Sequence, residues 1–312
     1  MPELPEVETI RRGLEKYILN KKIVQIKVLE KKSFLGEKKE AEGARVLELD
    51  RKGKALIIKL SNKRSFLIHL RMTGQLIARD FSYYEEKSRR KESSKISKSK
   101  SAVSDLEMIN NHTFGGGHPS DNFVDVLPNK QTRVIIFFED GSRLFFNDQR
   151  KFGFIKVLLT EKIGEDEFIR KLGKEPWEIS LEDFYGKLQR HKNSPIKAVI
   201  LDQTVVAGLG NIYADEALYF SGIKPTRKAG EVSREEAERL ILGAKTVMER
   251  SLEAGGSTIK NYVKADGTRG DYLDLFAKVY GRAGEKCEKC GGEIKKIKVG
   301  GRGTHYCEEC QK

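Results

Sequence analysis

Four cysteines, all at or after position 287 of the 312-residue chain, constrain the fold more than any other feature. They form two Cys-x-x-Cys pairs, Cys287 with Cys290 and Cys307 with Cys310, separated by residues 291–306. Each pair can present two thiolates to one metal ion, and two such turns on a hairpin complete a tetrahedral zinc site. Two disulfides are the alternative, which a chain without an export signal disfavours. We therefore predict one structural Zn²⁺ on a zinc-ribbon hairpin.

The charge of the chain indicates a polyanionic partner. Lys and Arg outnumber Asp and Glu by 59 to 46, which gives a net charge of +13 and a pI of about 9.4. Residues 87–100 hold seven of the basic residues against one Glu, which leaves the rest of the chain at +7. Counterion release favours nucleic acid as the partner of such a chain. A basic protein without a polyanionic partner is the alternative.

The chain contains no apolar run of about 18 residues, so a membrane span is not expected. Its acidic start does not resemble a signal peptide. A cytoplasmic location is therefore the expectation, with use at the nucleoid and no membrane partner.

Hydrophobic periodicity predicts an α+β first half. Residues 5–18 carry an apolar helical stripe, and Pro5 suits its first turn. Strand-like runs follow at 23–29, 45–49, 55–60, 65–70, 133–138, 143–146 and 154–159. The Ser- and Lys-rich interruption at about 82–128, which includes three consecutive glycines, predicts a largely disordered insertion. It is either a solvated insertion or a nucleic-acid-binding arm.

The second half of the chain is predicted to be helical. Ser194 and Pro195 fit the start of a helix that continues to 203, and a glycine-bearing turn at 205–211 precedes a second helix at 212–220. Ser233 and Glu236 form a capping box ahead of a long amphipathic helix. The exposed N–H groups of a glycine-rich turn at a helix start can bind phosphate. The predicted domains are 1–171, 178–275 and 276–312.

Six dispersed motifs occur in an order that resembles the formamidopyrimidine-DNA glycosylase family, bacterial enzymes that excise 8-oxoguanine and ring-opened purines. They are MPELPEVET at 1–9, HLRMTG at 69–74, DQRKFG at 148–153, GLGNIYADE at 208–216, VYGR at 279–282 and GTHYC at 303–307. The resemblance covers the chain outside the insertion. It implies an N-terminal β-sandwich with one leading helix, a helix–two-turns–helix domain and the zinc finger. It also implies a monomer bound to damaged double-stranded DNA, with no small-molecule cofactor.

The resemblance assigns catalytic roles to four residues. Pro2, once Met1 is removed, would attack the sugar C1′ and form a Schiff base, which leads to β,δ-elimination. Glu3 would act as general acid on the opening sugar ring. Lys54 matches the lysine assigned to β-elimination, and Arg302 matches the zinc-borne arginine assigned to δ-elimination.

The resemblance also assigns DNA contacts. Met72, Arg150 and Phe152 match the side chains that fill the void left by the everted base, where Arg150 would read the orphaned cytosine. The residues that match phosphate-contacting positions are His69, Lys192, Lys197 and Asn211. The glycine-bearing stretch 255–272 corresponds to a loop that closes over the base.

The sequence departs from the family pattern in two short motifs. Gln131 stands where the family places a DNA-contacting histidine, and Lys130 or Arg133 could substitute for that contact. Gln149 replaces the usual proline between Asp148 and Arg150, which loosens that turn.

Two alternatives remain open at this point. An endonuclease VIII-like glycosylase would act on oxidised pyrimidines, although Leu4 differs from the usual start of those relatives. A non-catalytic zinc-ribbon protein would bind DNA damage without excising it.

Overall fold

The computed structural model describes residues 1–82, 113–117, 126–256 and 272–312. These residues fall into two compact units, the first made of 1–2 and 6–165, the second of 3–5, 166–256 and 272–312. Residues 257–271 of the predicted closing loop at 255–272, and most of the insertion, lie outside the described residues. Among the described residues, no helix is long and apolar enough to cross a bilayer.

The first unit is a β-sandwich preceded by one helix, as predicted. Helix α1 spans Leu4–Ile18. Ten strands follow among the described residues of this unit: β1 Ile23–Val28, β2 Phe34–Leu35, β3 Val46–Lys52, β4 Ala55–Leu60, β5 Arg64–His69, β6 Gly74–Arg79, β7 Thr113–Gly117, β8 Thr132–Phe138, β9 Arg143–Asp148 and β10 Phe154–Leu159. They form two five-stranded sheets, in the orders β1-β8-β9-β6-β7 and β2-β10-β5-β4-β3.

One apolar core fills the space between the two sheets. Ile10 and Leu14 of α1 pack into it together with Phe146 of one sheet and Phe66 and Ile155 of the other, all at most 1% exposed. Burial of large apolar side chains on both inner faces is the main force that holds such a sandwich together.

Strand β7 is an ordered element within the predicted insertion at about 82–128. Thr113–Gly117 lies within that insertion, yet it pairs antiparallel with β6. A Cβ at Gly116 would stand 2.4 Å from Ile10 Cγ1, and one at Gly13 of α1 would stand 1.9 Å from the Phe114 ring. Glycine is therefore needed here because strand and helix backbones approach too closely for side chains.

The second unit is helical and ends in the hairpin. Its helices are α2 Glu167–Arg170, α3 Leu181–Arg190, α4 Ile196–Leu201, α5 Asn211–Ser221, α6 Arg234–Glu253 and α7 Tyr272–Leu275, and its strands are β11 Ile294–Val299 and β12 Arg302–Cys307. Ser233 and Glu236 make the predicted capping box at the start of α6. Ser194 does not cap α4, because the residue that precedes this helix is Pro195 and no side chain caps it.

The turn between α4 and α5 is closed by one side chain. The Gln203 amide donates to the carbonyls of Leu201 and Leu209, at 3.0 and 2.8 Å, and its oxygen accepts from Gly208 N–H at 3.0 Å. Gly208 has a φ of +89°, which glycine adopts at little cost. The turn therefore delivers residues 210–212 to the start of α5 in one fixed arrangement.

Candidate active site and nucleic-acid interface

Glu3 is held at the N-terminus of α5. The side chain is 3% exposed, and its Oε1 accepts a 3.0 Å hydrogen bond from Ile212 N–H. Leu4 N–H donates to Gly208 O at 3.1 Å, which fixes the backbone beside it. A helix N-terminus stabilises a negative charge because its first N–H groups and its dipole point toward it. The fold thus places a buried carboxylate directly next in sequence to Pro2, which is also buried.

His69 and Lys54 lie close together in the first unit, and both are 4% exposed. Burial, followed by the charges of Arg71 and Lys54, lowers the pKa of His69 from 6.5 to about 3. Its Nδ1 accepts a 3.0 Å hydrogen bond from Arg71 N–H, so the proton of the neutral ring is assigned to Nε2. His69 is therefore a neutral imidazole with an N–H donor at Nε2.

We expect His69 to make stability fall as the pH drops below 6.5. The unfolded histidine binds a proton near pH 6.5, whereas the folded one does so only near pH 3. In that window the unfolded state binds more protons, so stability rises with pH by up to about 1.4 kcal/mol per pH unit. Between pH 6.5 and 5, wild type should lose on the order of 1–2 kcal/mol more than His69→Gln in urea unfolding. Parallel pH curves for the two proteins would contradict this.

Met72, Arg150 and Phe152 lie on two loops of the first unit, one between β5 and β6 and the other between β9 and β10. Phe152 is 55% exposed, Arg150 is exposed and Met72 is half-buried. The Arg150 guanidinium carbon lies 4.9 Å from the centroid of the Phe152 ring, within the range of a cation–π contact. An exposed aromatic ring stacked with an arginine has the chemistry needed to enter a base stack.

Lys197 does not fit its predicted phosphate contact. The side chain is 0% exposed, and its Nζ lies 2.6 Å from Asp215 Oδ1, 2.8 Å from Thr304 Oγ1 and 3.0 Å from Gly303 O. Three acceptors use all three N–H bonds of the ammonium group, so none points to solvent. Burial lowers the pKa of Lys197, and the neighbouring Asp215 carboxylate opposes that shift. Lys197 instead ties α4 to the β11–β12 hairpin.

Arg302 is exposed at the first position of β12, next to the hairpin turn, and the strand is held there from two sides. Gly303 O accepts hydrogen bonds from Lys197 Nζ and from Asn211 Nδ2, both at 3.0 Å. The turn itself contains Gly300 and Gly301, with φ values of +55° and +77°. The Asn211 amide thus supports the arginine-bearing turn. Lys192 is exposed and accessible to a phosphate.

Sequence reasoning missed two buried carboxylates, although both occur within the recognised motifs. Asp148 is fully buried between the loops that carry Met72 and Arg150. Glu216 of α5 accepts the N–H groups of Lys278, Val279 and Tyr280 at 2.8 to 2.9 Å. Burial raises the pKa of Glu216, and these three hydrogen bonds oppose the shift. Only the structure shows that both anchor loops. Glu216 binds backbone groups 62 to 64 residues away, and Asp148 accepts a hydrogen bond from the hydroxyl of the distant Thr73.

Arg133 is not available to replace the missing histidine contact. It is 8% exposed, and its guanidinium donates to Asp148 O at 2.7 Å, Lys130 O at 3.0 Å and Gln131 Oε1 at 3.1 Å. These hydrogen bonds occupy the Arg133 guanidinium within its own loop. Lys130 is exposed and remains the candidate for that contact.

The four cysteines fit a structural zinc site. Their Sγ atoms all lie within 4.8 Å of one another, and Cys287–Cys310 and Cys290–Cys307 are separated by 3.8 and 3.4 Å. A tetrahedron with Zn–S bonds of about 2.3 Å has sulfur separations of about 3.8 Å, whereas a disulfide needs about 2.05 Å. The Tyr219 hydroxyl lies 3.2 Å from Cys287 Sγ and supports that ligand. The chain thus carries a four-cysteine site for one Zn²⁺, and the disulfide alternative is excluded.

Comparison with known proteins places three family models along the chain. Residues 1–155 match the formamidopyrimidine-DNA glycosylase N-terminal domain, 172–263 match the H2TH domain of the same enzymes, and 284–312 match a zinc finger found in FPG and IleRS. Formamidopyrimidine-DNA glycosylase of Ligilactobacillus salivarius is 39% identical, over 100% of this chain and 99% of the relative. The relative from Exiguobacterium sp. is 36% identical with the same coverage.

Solved structures agree with these matches. A Lactococcus lactis FPG variant in complex with DNA that contains Fapy-dG has a TM-score of 0.80 and 31% identity, with full coverage of both chains. The L. lactis enzyme bound to DNA with an abasic site has a TM-score of 0.79 and 31% identity, with 99% coverage of both. The sequence motifs, the architecture and the cysteine site therefore have one explanation: the chain belongs to the formamidopyrimidine-DNA glycosylase family.

Proposed function

We propose that the chain is a bifunctional DNA glycosylase and abasic-site lyase that excises oxidised purines from duplex DNA. The observation that carries the proposal is the buried Glu3 carboxylate, fixed by Ile212 N–H and adjacent in sequence to the buried Pro2. Membership of the family supports it, as do the named relatives and the L. lactis complex with Fapy-dG.

Pro2 acts as the nucleophile in this proposal. After removal of Met1, its secondary amine is an α-amino group with a pKa of about 8 or below, so a substantial fraction is neutral at physiological pH. The nitrogen lone pair attacks C1′, the glycosidic bond breaks and the base leaves as the neutral purine after taking up a proton. The Glu3 carboxylate takes up the proton that the Pro2 nitrogen loses after the attack and passes it to the ring oxygen as the sugar opens, which leaves an iminium between Pro2 and C1′.

The iminium then drives strand cleavage. It acidifies C2′, so loss of a C2′ proton expels the 3′-phosphate, and a second elimination expels the 5′-phosphate. We assign Lys54 to the first elimination and Arg302 to the second. The zinc ion supplies no chemistry to these steps and only fixes the hairpin that presents Arg302.

The remaining assignments concern DNA contacts and organisation. Met72, Arg150 and Phe152 fill the void, with Arg150 donating to the orphaned cytosine. His69, through Nε2–H, Asn211 and the exposed Lys192 contact phosphates. We further propose the domain boundaries 1–171, 178–275 and 276–312, and action on chromosomal DNA at the nucleoid.

Borohydride trapping tests the covalent step. Wild type should form an adduct with a duplex that contains 8-oxoguanine opposite cytosine. Pro2→Gly should form far less, because the primary amine of glycine gives an imine in place of the permanently charged iminium that a secondary amine forms. A form that retains Met1 is the matched control: it should bind the duplex without forming an adduct.

The same experiment separates the alternatives. No adduct with wild type, or an equal one with Pro2→Gly, would exclude the proposed mechanism. Stronger trapping on a thymine-glycol duplex would indicate oxidised pyrimidines, and DNA binding without any adduct would indicate a damage-binding protein.

A further inference from the structure

Asp148 connects the two loops that carry the void-filling side chains. Its Oδ1 accepts from the Thr73 hydroxyl at 2.5 Å and from Arg150 N–H at 3.2 Å, and its Oδ2 accepts from Gly153 N–H at 2.7 Å. Thr73 follows Met72 directly in sequence, and its Oγ1 also accepts from Arg150 N–H at 3.0 Å. One carboxylate and one hydroxyl therefore bind both loops.

The backbone of Asp148 is braced as well. Its N–H donates to Gln131 O at 2.9 Å, and its carbonyl accepts from Arg133 Nε at 2.7 Å. Asp148 is 0% exposed, so its hydrogen bonds are shielded from water and their loss would leave a buried charge unsatisfied. These backbone hydrogen bonds thus fix the position of the carboxylate that binds the two loops.

The turn that Asp148 organises has little rigidity of its own. Gln149 lacks the ring that would restrict its φ. Lys151 has a φ of +58°, a left-handed conformation that costs a non-glycine residue roughly 1 kcal/mol. The hydrogen bonds from Arg150 N–H and Gly153 N–H lie on either side of Lys151. They therefore hold the strained residue in place.

We propose that Asp148 and Thr73 are positioning residues that set Met72, Arg150 and Phe152 in one geometry, and that they thereby determine selectivity for the base opposite the lesion. This rests on the proposed function. Selectivity follows because Arg150 can donate to cytosine only if its backbone is held in register with the loop of Met72, whereas adenine presents a different set of donors and acceptors.

The test compares single-turnover excision of 8-oxoguanine opposite cytosine and opposite adenine. Thr73→Val keeps the shape of the side chain but removes the hydroxyl, and Asp148→Asn replaces one acceptor oxygen with an amide NH2 group, which can only donate. Both should lower the cytosine-to-adenine rate ratio at least about fivefold. Thr73→Ser should restore the ratio, because serine can donate the same hydrogen bond.

Thr160→Val is the matched control. It removes a hydroxyl that makes a 2.9 Å hydrogen bond to Ser65 Oγ, away from the two loops, and should leave the ratio unchanged. A folded Thr73→Val with the wild-type ratio, or Thr160→Val with an equal loss, would overturn the inference. A wild type that excises nothing would instead refute the proposed function.

Discussion

Replacement of Gly210 by alanine is expected to lower base excision at least about 100-fold while DNA affinity changes little. A Cβ at this position would stand 2.2 Å from Glu3 Cδ and 2.5 Å from both carboxylate oxygens. The atoms nearest to the added Cβ are those of the Glu3 carboxylate itself, so the carboxylate has to move. A displacement of about 1 Å can cost two orders of magnitude in rate, and general acid catalysis supplies about 10²–10⁴-fold.

Single-turnover excision from an 8-oxoguanine duplex measures this loss, and binding to a duplex with an uncleavable abasic analogue measures affinity. Strand cleavage at a preformed abasic site should fall less, because an abasic sugar already equilibrates with its ring-opened aldehyde and depends less on proton transfer by Glu3. Gly186→Ala is the matched control: this glycine lies within α3, and no atom is within 4 Å of an added Cβ. It should keep full activity and gain up to about 1 kcal/mol of stability. A fully active Gly210→Ala would refute the assignment of Glu3.

The parts of the fold that depend on local sequence could be predicted. Strands β4 and β10 have the predicted bounds, and α1 differs by a single residue at its start. The capping box joins Ser233 to Glu236, three residues later. Each Cys-x-x-Cys pair likewise brings together two ligands that are three residues apart. Local patterns report such features because the interacting groups are near one another along the chain.

The missed strands depend on tertiary contacts. All six residues of β6 are buried, so the run lacks the alternation that marks a half-exposed strand. In β7, three glycines have low strand propensity, and only the packing of Gly116 against Ile10 explains them. No pattern within residues 113–117 reports the helix that lies over them.

The accessibility of the candidate site residues also depends on tertiary contacts, which the sequence does not report. The family resemblance assigns roles to Glu3, Lys197 and Arg302, but it does not show which of these side chains is accessible. Lys197 matches a phosphate-contacting position, yet it is buried against Asp215 and Thr304. The sequence predicts that a lysine is cationic, whereas its burial decides whether the side chain contacts DNA or other groups of the protein.

Removal of the zinc ion should abolish the second elimination and weaken DNA binding at least about tenfold. The apolar cluster of the hairpin consists of Val279, Cys287, Ile294 and Cys307, two of which are metal ligands. So small a core cannot stabilise the hairpin alone, whereas a structural zinc contributes roughly 10–16 kcal/mol. Without the metal, the hydrogen bonds from Lys197 and Asn211 to Gly303 O should break, and Arg302 should lose its fixed position.

Product analysis on an abasic-site duplex separates the two eliminations by fragment length. Wild type should contain about one zinc per chain in the presence of a thiol reductant, because four thiolates rather than disulfides form the site. After chelation, the β-elimination product should replace the β,δ-product. Arg302→Gln is the matched control, since it removes the guanidinium but keeps the metal and the hairpin. It should give the same product pattern with zinc still bound. Complete β,δ-elimination by a protein shown to be zinc-free would contradict the role of the hairpin, because Arg302 would then act without the platform that holds its turn.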